Sequence, residues 1–348
     1  MKLLVTGGCG FLGSNICLFY RQKGAEVIAY DNLAKHEFNK NPYMKEKARD
    51  FNKKLLENNG IAVVVEDIRD KKALLEYTEK CDYICHTAAQ PAMTISWEDP
   101  ELDFSTNTLG TFNVLECARI HDLPIAICSS IHTYGPDRIN SQLNELKTRY
   151  SREPITINEQ EPILQGVITP LHASKRSNEI YAQAYIDTYK IKAACFRLSG
   201  IYGENQFGGE DHGWVANFSI RAILDMPITI FGTGKQTRDI LYATDVAEAF
   251  NCFYNNPIPG IYTLGGGPEN MISLIESIEI IKKITKKDIK PIYSDERFGD
   301  LHYFVANYSK FTKATGWRPK INPSEGINRL IKWVKNNKEL FYDKPKKY

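Results

Sequence analysis

The stretch Thr6-Gly7-Gly8-Cys9-Gly10-Phe11-Leu12-Gly13 carries the clearest chemistry in the chain. It follows an apolar run, Lys2–Thr6, and opens a segment of helical periodicity. Gly7 and Gly10 permit a tight turn and a close approach of backbone to a pyrophosphate. Gly13 lets the helix pack on the strand, and the first helical residues, Phe11 and Leu12, offer free N–H groups to the anion. The next apolar run ends in Asp31-Asn32, where a carboxylate accepts hydrogen bonds from ribose hydroxyls and repels a 2′-phosphate. NAD is therefore expected over NADP, with Lys35 and His36 softening the preference. Asp67-Ile68 and Ala88-Ala89-Gln90 follow the third and fourth runs, at the sheet edge where ligands of open α/β folds bind.

These residues need a scaffold, and the first half of the chain supplies its pattern. Lys2–Thr6, Glu26–Tyr30, Ile61–Val65, Tyr83–His86, Ile125–Cys128 and Ala193–Leu198 read as buried parallel strands. Between them, Phe11–Lys23, Lys45–Asn58, Lys72–Tyr77, Phe104–Ile120 and Ala173–Tyr189 read as helices. Such alternation specifies an α/β fold: a Rossmann-type doubly wound parallel sheet with right-handed crossovers. Beyond residue 198 the regularity weakens into glycine- and aromatic-rich stretches, Tyr202–Trp214, Phe231–Gly234 and Tyr262–Pro268. A smaller, mixed C-terminal substrate lobe is expected there. The division expected is 1–198 for the dinucleotide domain, with 239–264 returning to it, and 199–238 plus 265–348 for the second lobe.

Composition narrows the function classes. A formal net charge of +2 over 348 residues offers no nucleic-acid footprint, and the basic tail Lys344-Pro345-Lys346-Lys347 reads as a solvated terminus. No apolar run approaches the roughly 20 residues that span a bilayer, and the apolar start is too short for a secretory signal. The eight cysteines are scattered, and Cys81 and Cys85 lack a second pair at zinc spacing. A reducing cytoplasm, core cysteines and no metal are expected.

The motifs TGGCGFLG, DN, EDIRD, HTAAQ, NTLGTFNVLE, SSIHTYG, SK, RLSGIYG and RDILYATD occur in that order across nearly the whole chain. As an ordered set they resemble the extended short-chain dehydrogenases/reductases acting on nucleotide sugars. More narrowly, AMTISWEDP, DHGWVANF, GTGKQTRDILYATD, FVAN and GWRPK resemble the CDP-paratose (CDP-tyvelose) 2-epimerases, which oxidise a bound sugar with NAD and return the hydride. The resemblance implies that Ser130 hydrogen-bonds the reacting sugar oxygen, that Lys175 holds the nicotinamide ribose, and that Asn107 and Ser199 lie against the cofactor. It implies that Arg238 and Arg297 hold the nucleotide diphosphate, a role that planar guanidinium groups suit chemically. Gln206, His212 and Trp214 fall in a stretch that in the resembled epimerases approaches the sugar, which implies substrate contacts for them here. A homo-oligomer built on helices Phe104–Ile120 and Ala173–Tyr189 is implied by analogy.

One position breaks the pattern. The family carries Tyr-x-x-x-Lys on one helical face, but this chain reads Leu171-His172-Ala173-Ser174-Lys175. Leucine cannot take the hydroxyl proton that must leave when a carbinol is oxidised. His132, His172 and Tyr134 stand near enough in sequence to replace the tyrosine, and a histidine of ordinary pKa near 6.5 suits general base work. Three functions fit: an NAD-dependent epimerase of a nucleotide-linked sugar, with a CDP-sugar favoured; a dehydrogenase or dehydratase of the same superfamily; or a non-catalytic NAD- and nucleotide-binding relative.

Overall fold

In the computed structural model, residues 1–35 and 41–342 are described, so His36 and the basic tail at 344–347 lie outside the described residues. Seven parallel strands form the main sheet. In chain order they are Lys2–Thr6, Glu26–Tyr30, Ala62–Val64, Tyr83–His86, Ile125–Ser130, Ala193–Leu198 and Gly260–Leu264. Across the sheet they run third, second, first, fourth, fifth, sixth, seventh. The order reverses beside the first strand, between the second and fourth, and a doubly wound sheet opens a ligand crevice there.

Apolar residues alternate between two cores because helices cover both faces of the sheet. Leu3, Val5, Val27 and Ala29 pack on one side with Phe196, Phe250 and Phe253, while Leu4, Ile28, Ile84 and Ile127 pack on the other with Val114 and Leu115. Helix Ala243–Asn255 contributes Phe250 and Phe253 to the first core, and strand Gly260–Leu264 then pairs with Ala193–Leu198. That last strand falls partly in a stretch the sequence reads as irregular.

The second lobe is built on strand Thr237–Tyr242, which pairs antiparallel with Met271–Ser273 and parallel with Tyr303–Phe304 and Gly200–Tyr202. Helices Trp214–Ile223, Leu274–Thr285 and Pro323–Asn336 enclose a separate apolar core. Ser273 and Glu276 form a reciprocal capping box at the start of the second of these, and Asn322 caps the third.

Two helices differ from the sequence expectation. The stretch 45–58 is two helices, Glu46–Arg49 and Phe51–Asn58, separated at Asp50, whose ψ of 0° takes it out of the helical ladder. The stretch 104–120 begins as a wide π-helical turn, Phe104–Gly110, before continuing as α-helix Thr111–Ile120. Gly110 sits there because a Cβ would fall 2.4 Å from the Ile68 side chain. A hairpin not foreseen, Leu143–Glu145 with Tyr150–Arg152, docks where the Thr237 hydroxyl donates to the Tyr150 carbonyl (3.0 Å).

Candidate active site

The carboxyl ends of the strands open into a continuous cavity of about 740 Å³ between the sheet and the second lobe. At one end lies the glycine turn. Gly7 has φ of +68° and a Cβ there would lie 2.7 Å from the Ala88 backbone; a Cβ on Gly13 would lie 2.0 Å from the Gly7 carbonyl oxygen. Both glycines are thus demanded by backbone packing. Gly10 is the N-cap of helix Phe11–Gln22 and lines the cavity with Phe11, Leu12 and Gly13, leaving the first-turn N–H groups for an anion. The cradle fits a dinucleotide pyrophosphate.

Asp31 also lines the cavity, and its carboxylate accepts hydrogen bonds from the backbone N–H groups of Cys9 (2.9 Å) and Leu33 (2.7 Å). It therefore ties the glycine turn to the second strand, and a carboxylate has lone pairs enough to accept from ribose hydroxyls as well. Asn32, Ile68, Ala88, Ala89 and Gln90 line the same end. Asp67 is placed differently. Burial works to raise its carboxyl, but hydrogen bonds from Arg69 and Asn32 outweigh it and hold the group at about 2. Asp67 therefore secures Asn32 and Arg69 instead of facing the cavity.

Asn107, fully buried, stands behind the wall. Its side chain accepts from the Gln90 N–H (2.8 Å) and donates to the Gln90 carbonyl (3.0 Å), clamping that backbone from both sides. It shapes the cofactor wall without reaching the cavity. Ser199 does reach it, and donates to Asp239 at 2.5 Å. Burial pushes Asp239 up to about 6, against hydrogen bonds from Ser199, Ala306 and Gly267.

Midway along the cavity, Ser130, His132, Leu171 and Lys175 come together. Ser130 ends its strand, and its hydroxyl oxygen accepts the His132 backbone N–H at 3.2 Å. Lys175 is buried, donates to the Cys128 carbonyl (3.4 Å) and has its pKa lowered by desolvation, against the opposing pull of Cys128 and Asp103. His132 is held neutral, down to about 3, chiefly by burial and then by His172, Arg238 and Lys175. Leu171, at the position of the family tyrosine, offers the cavity only methyl groups.

The other two candidates for the tyrosine's role lie outside the cavity lining. His172 is the N3 residue of helix Pro170–Tyr189, and its ring takes part in a capping box with Thr169. Nδ1 accepts the Thr169 N–H (3.2 Å) and meets its hydroxyl at 2.7 Å. Burial holds the group at about 4. The ring stacks edge-on behind His132, with centroids 5.4 Å apart, and is not part of the cavity lining. Tyr134 is fully buried away from the cavity, where its hydroxyl donates to the Asn158 carbonyl (2.9 Å) and receives Arg197 (3.0 Å). It braces the wall from behind the cavity lining.

The far end of the cavity is the arginine end. Arg238 and Arg297 both line it, with Gln206, His212 and Trp214. Arg238 donates to the carbonyls of Thr237 and Leu301 and stands 4.0 Å from Asp300. Arg297 lies over the Phe231 ring, 4.1 Å from its centroid, and 4.0 Å from Asp211. Sequence reasoning missed the acids Glu210, Asp211 and Asp300 and the aromatic residues Trp97, Phe231 and Phe298, all in the lining. Trp97 and Asp211 sit in segments whose wording had marked a resemblance, which was the available signal.

Among the described residues no group of three His, Cys, Asp or Glu side chains is placed to hold a metal, and no helix is long and apolar enough to cross a membrane. Cys81 and Cys85 are both buried.

A pyrophosphate cradle, a serine and lysine at mid-cavity and two arginines beyond define an enzyme that brings a dinucleotide against a phosphorylated substrate. Residues 3–265 match the NAD dependent epimerase/dehydratase family, and the chain belongs to it. It is 32% identical over 346 residues to the CDP-paratose 2-epimerase of Salmonella typhi, covering 96% of this chain and 99% of that one. Among solved structures it resembles the UDP-glucose 4-epimerase of Thermotoga maritima with UDP-glucose (TM-score 0.80, 26% identity, 97% and 99% of the two chains). It also resembles the UDP-glucose 4-epimerase of Thermus thermophilus in complex with NAD (TM-score 0.76, 29% identity, 97% and 100%). The protein is an NAD-dependent enzyme of the nucleotide-sugar epimerase/dehydratase class with a Rossmann-type fold.

Proposed function

We propose that the enzyme epimerises a nucleotide-linked sugar, a CDP-sugar, by transient oxidation and re-reduction of one carbon. The observation that carries this reading is the single cavity running from the glycine cradle past Ser130 and Lys175 to Arg238 and Arg297. Its order matches that of cofactor, reacting carbon and diphosphate. The similarity to a CDP-paratose 2-epimerase over nearly the full chain supports cytidine as the base.

In this reading Gly10, Phe11, Leu12 and Asp31 hold the NAD, which when bound takes up and returns the hydride. The chain's own residues manage the proton. Ser130 uses its hydroxyl to hydrogen-bond the reacting oxygen. Lys175 places a positive charge beside the same oxygen and so favours its deprotonated form. His132 is, among the described residues, the imidazole lining the cavity beside them, and it receives the proton that a tyrosine at Leu171 would have taken. It is neutral, but burial holds it at about 3, not at the value near 6.5 that suits general base work. It therefore accepts the proton only as substrate binding raises its pKa. When the diphosphate neutralises Arg238, one cause of its low pKa is removed.

The test is single-turnover reduction of bound NAD by a panel of CDP-sugars in wild type and His132→Asn. Loss of a general base costs roughly 10²–10⁴-fold. A His132→Asn rate within about threefold of wild type would remove His132 from this role, leaving a water held by Lys175 as the acceptor.

We propose as a separate point that copies of the chain associate into a homo-oligomer. Phe104, Leu109 and Ile120 on one helical stretch and Ile180, Tyr181 and Tyr189 on helix Pro170–Tyr189 are exposed, which supports a contact between copies on these faces.

A further inference from the structure

We infer that Asp211 is a specificity-determining residue that restricts the substrate to neutral sugars and rejects uronates. This rests on the epimerase reading and names its substrate class. Asp211 joins two segments at the cavity: the Thr94 hydroxyl donates to its Oδ2 at 2.9 Å, while Arg297 stands 4.0 Å from its Oδ1. Thr94 lies just beyond the Gln90-Pro91 segment that borders the cofactor, and Arg297 belongs to the diphosphate end. The carboxylate is therefore placed between the reacting end and the diphosphate, where the sugar must sit.

Charge counting gives the consequence. Of the Lys and Arg side chains lining the described cavity, Lys35 belongs to the Asp31 end, Lys175 to the reacting oxygen, and Arg238 and Arg297 to the diphosphate. The neighbouring acid Glu210 is already paired with Arg221 at 2.8 Å. Once a diphosphate engages Arg297, Asp211 keeps the Thr94 hydroxyl but has lost its cation. A neutral sugar turns a hydroxyl to that carboxylate and donates a charge-assisted hydrogen bond. A sugar carboxylate in the same space adds like charge beside Asp211, and the described lining leaves no further Lys or Arg to answer it.

The experiment compares the NAD-loaded enzyme and its Asp211→Asn and Asp211→Glu variants by calorimetric titration. The probes are CDP-glucose against CDP-glucuronate, and UDP-glucose against UDP-glucuronate. Asparagine is isosteric and still accepts from Thr94, and the readout is a ratio within one protein, so it survives a general loss of affinity. Wild type is expected to prefer the neutral member of whichever pair binds by at least about tenfold. Asp211→Asn should bring that ratio to within about threefold of one, while Asp211→Glu keeps the preference. Equal affinities in wild type, or an unchanged ratio in Asp211→Asn, would overturn the assignment of Asp211 while leaving the epimerase reading in place. Failure of every nucleotide sugar to bind would overturn that reading, and this inference with it.

Discussion

Acidifying the protein from pH 7 to pH 5 should cost a large part of its stability, and three histidines set the size of the effect. His86 is fully enclosed between the Thr6 and Thr111 hydroxyls at 2.7 and 2.9 Å, and burial, then the charge of Lys175, holds it at about 3. His132 stands at about 3 and His172 at about 4, each for burial first. In the unfolded chain all three titrate near 6.5. The folded pKa is thus depressed, the unfolded state binds more protons below pH 6.5, and stability falls as the pH drops through that value. At pH 5 each group costs about 2 kcal/mol relative to pH 7, roughly 6 kcal/mol together. Asp239 works in the opposite sense. Its folded pKa of about 6 lies above the unfolded carboxylate value, so its protonation between pH 7 and pH 5 returns roughly 1 kcal/mol. Asp103, Glu204 and Asp245, each also raised by burial, act in the same sense as Asp239. A net loss of a few kcal/mol is therefore expected, set against the roughly 5–15 kcal/mol that holds most domains. Urea unfolding followed by tryptophan fluorescence at pH 7, 6 and 5 measures it. His86→Gln should reduce the pH dependence by about 2 kcal/mol, since one titrating group is gone. A stability that is flat from pH 7 to 5, or a His86→Gln protein with the wild-type slope, would refute the reasoning.

Wild type should bind NAD more tightly than NADP in calorimetric titration, because Asp31 presents a carboxylate to the ribose; equal or tighter NADP binding would show that a neighbouring cation overrides it. Arg238→Ala should weaken CDP binding at least about tenfold, as charge-assisted contacts to phosphate are worth roughly 1.5–3 kcal/mol. Arg297→Ala should cost less, because part of its guanidinium face is already committed to the Phe231 ring. An unchanged CDP affinity in a folded Arg238→Ala protein would detach that arginine from the diphosphate.

Strand positions were legible because a parallel sheet covered on both faces leaves near-continuous apolar runs. Lys2–Thr6, Glu26–Tyr30, Tyr83–His86 and Ala193–Leu198 have the observed limits. Gly260–Leu264 escaped because glycine-rich sequence beside it reads as loop, and pairing with Ala193–Leu198 decides its state, not local pattern. The π-helical turn at Phe104–Gly110 leaves no periodicity signature over so few residues. At the site, residue types and spacing pointed to the glycine cradle, while the family resemblance singled out Ser130, Lys175 and the arginines, all of which line the cavity. Orientation was what the sequence withheld: His172 and Tyr134 have the right chemistry, but one caps a helix and the other braces Arg197. A cue existed for His172, since Thr169-Pro170 is a helix start and places His172 at N3. The cavity acids were missed because single carboxylates in polar segments resemble ordinary surface.

The most direct test of epimerisation by transient oxidation is the fate of the carbon-bound hydrogen. The NAD-loaded enzyme is incubated in D₂O with each of a panel of CDP-sugars, and the products are read by proton NMR and mass spectrometry while absorbance at 340 nm is followed. The expected result is an epimer of one of them with its carbon-bound hydrogen retained, reduced cofactor confined to the protein, and no net accumulation of free NADH. Deuterium at the inverted carbon, or stoichiometric NADH with an oxidised sugar released, would contradict it.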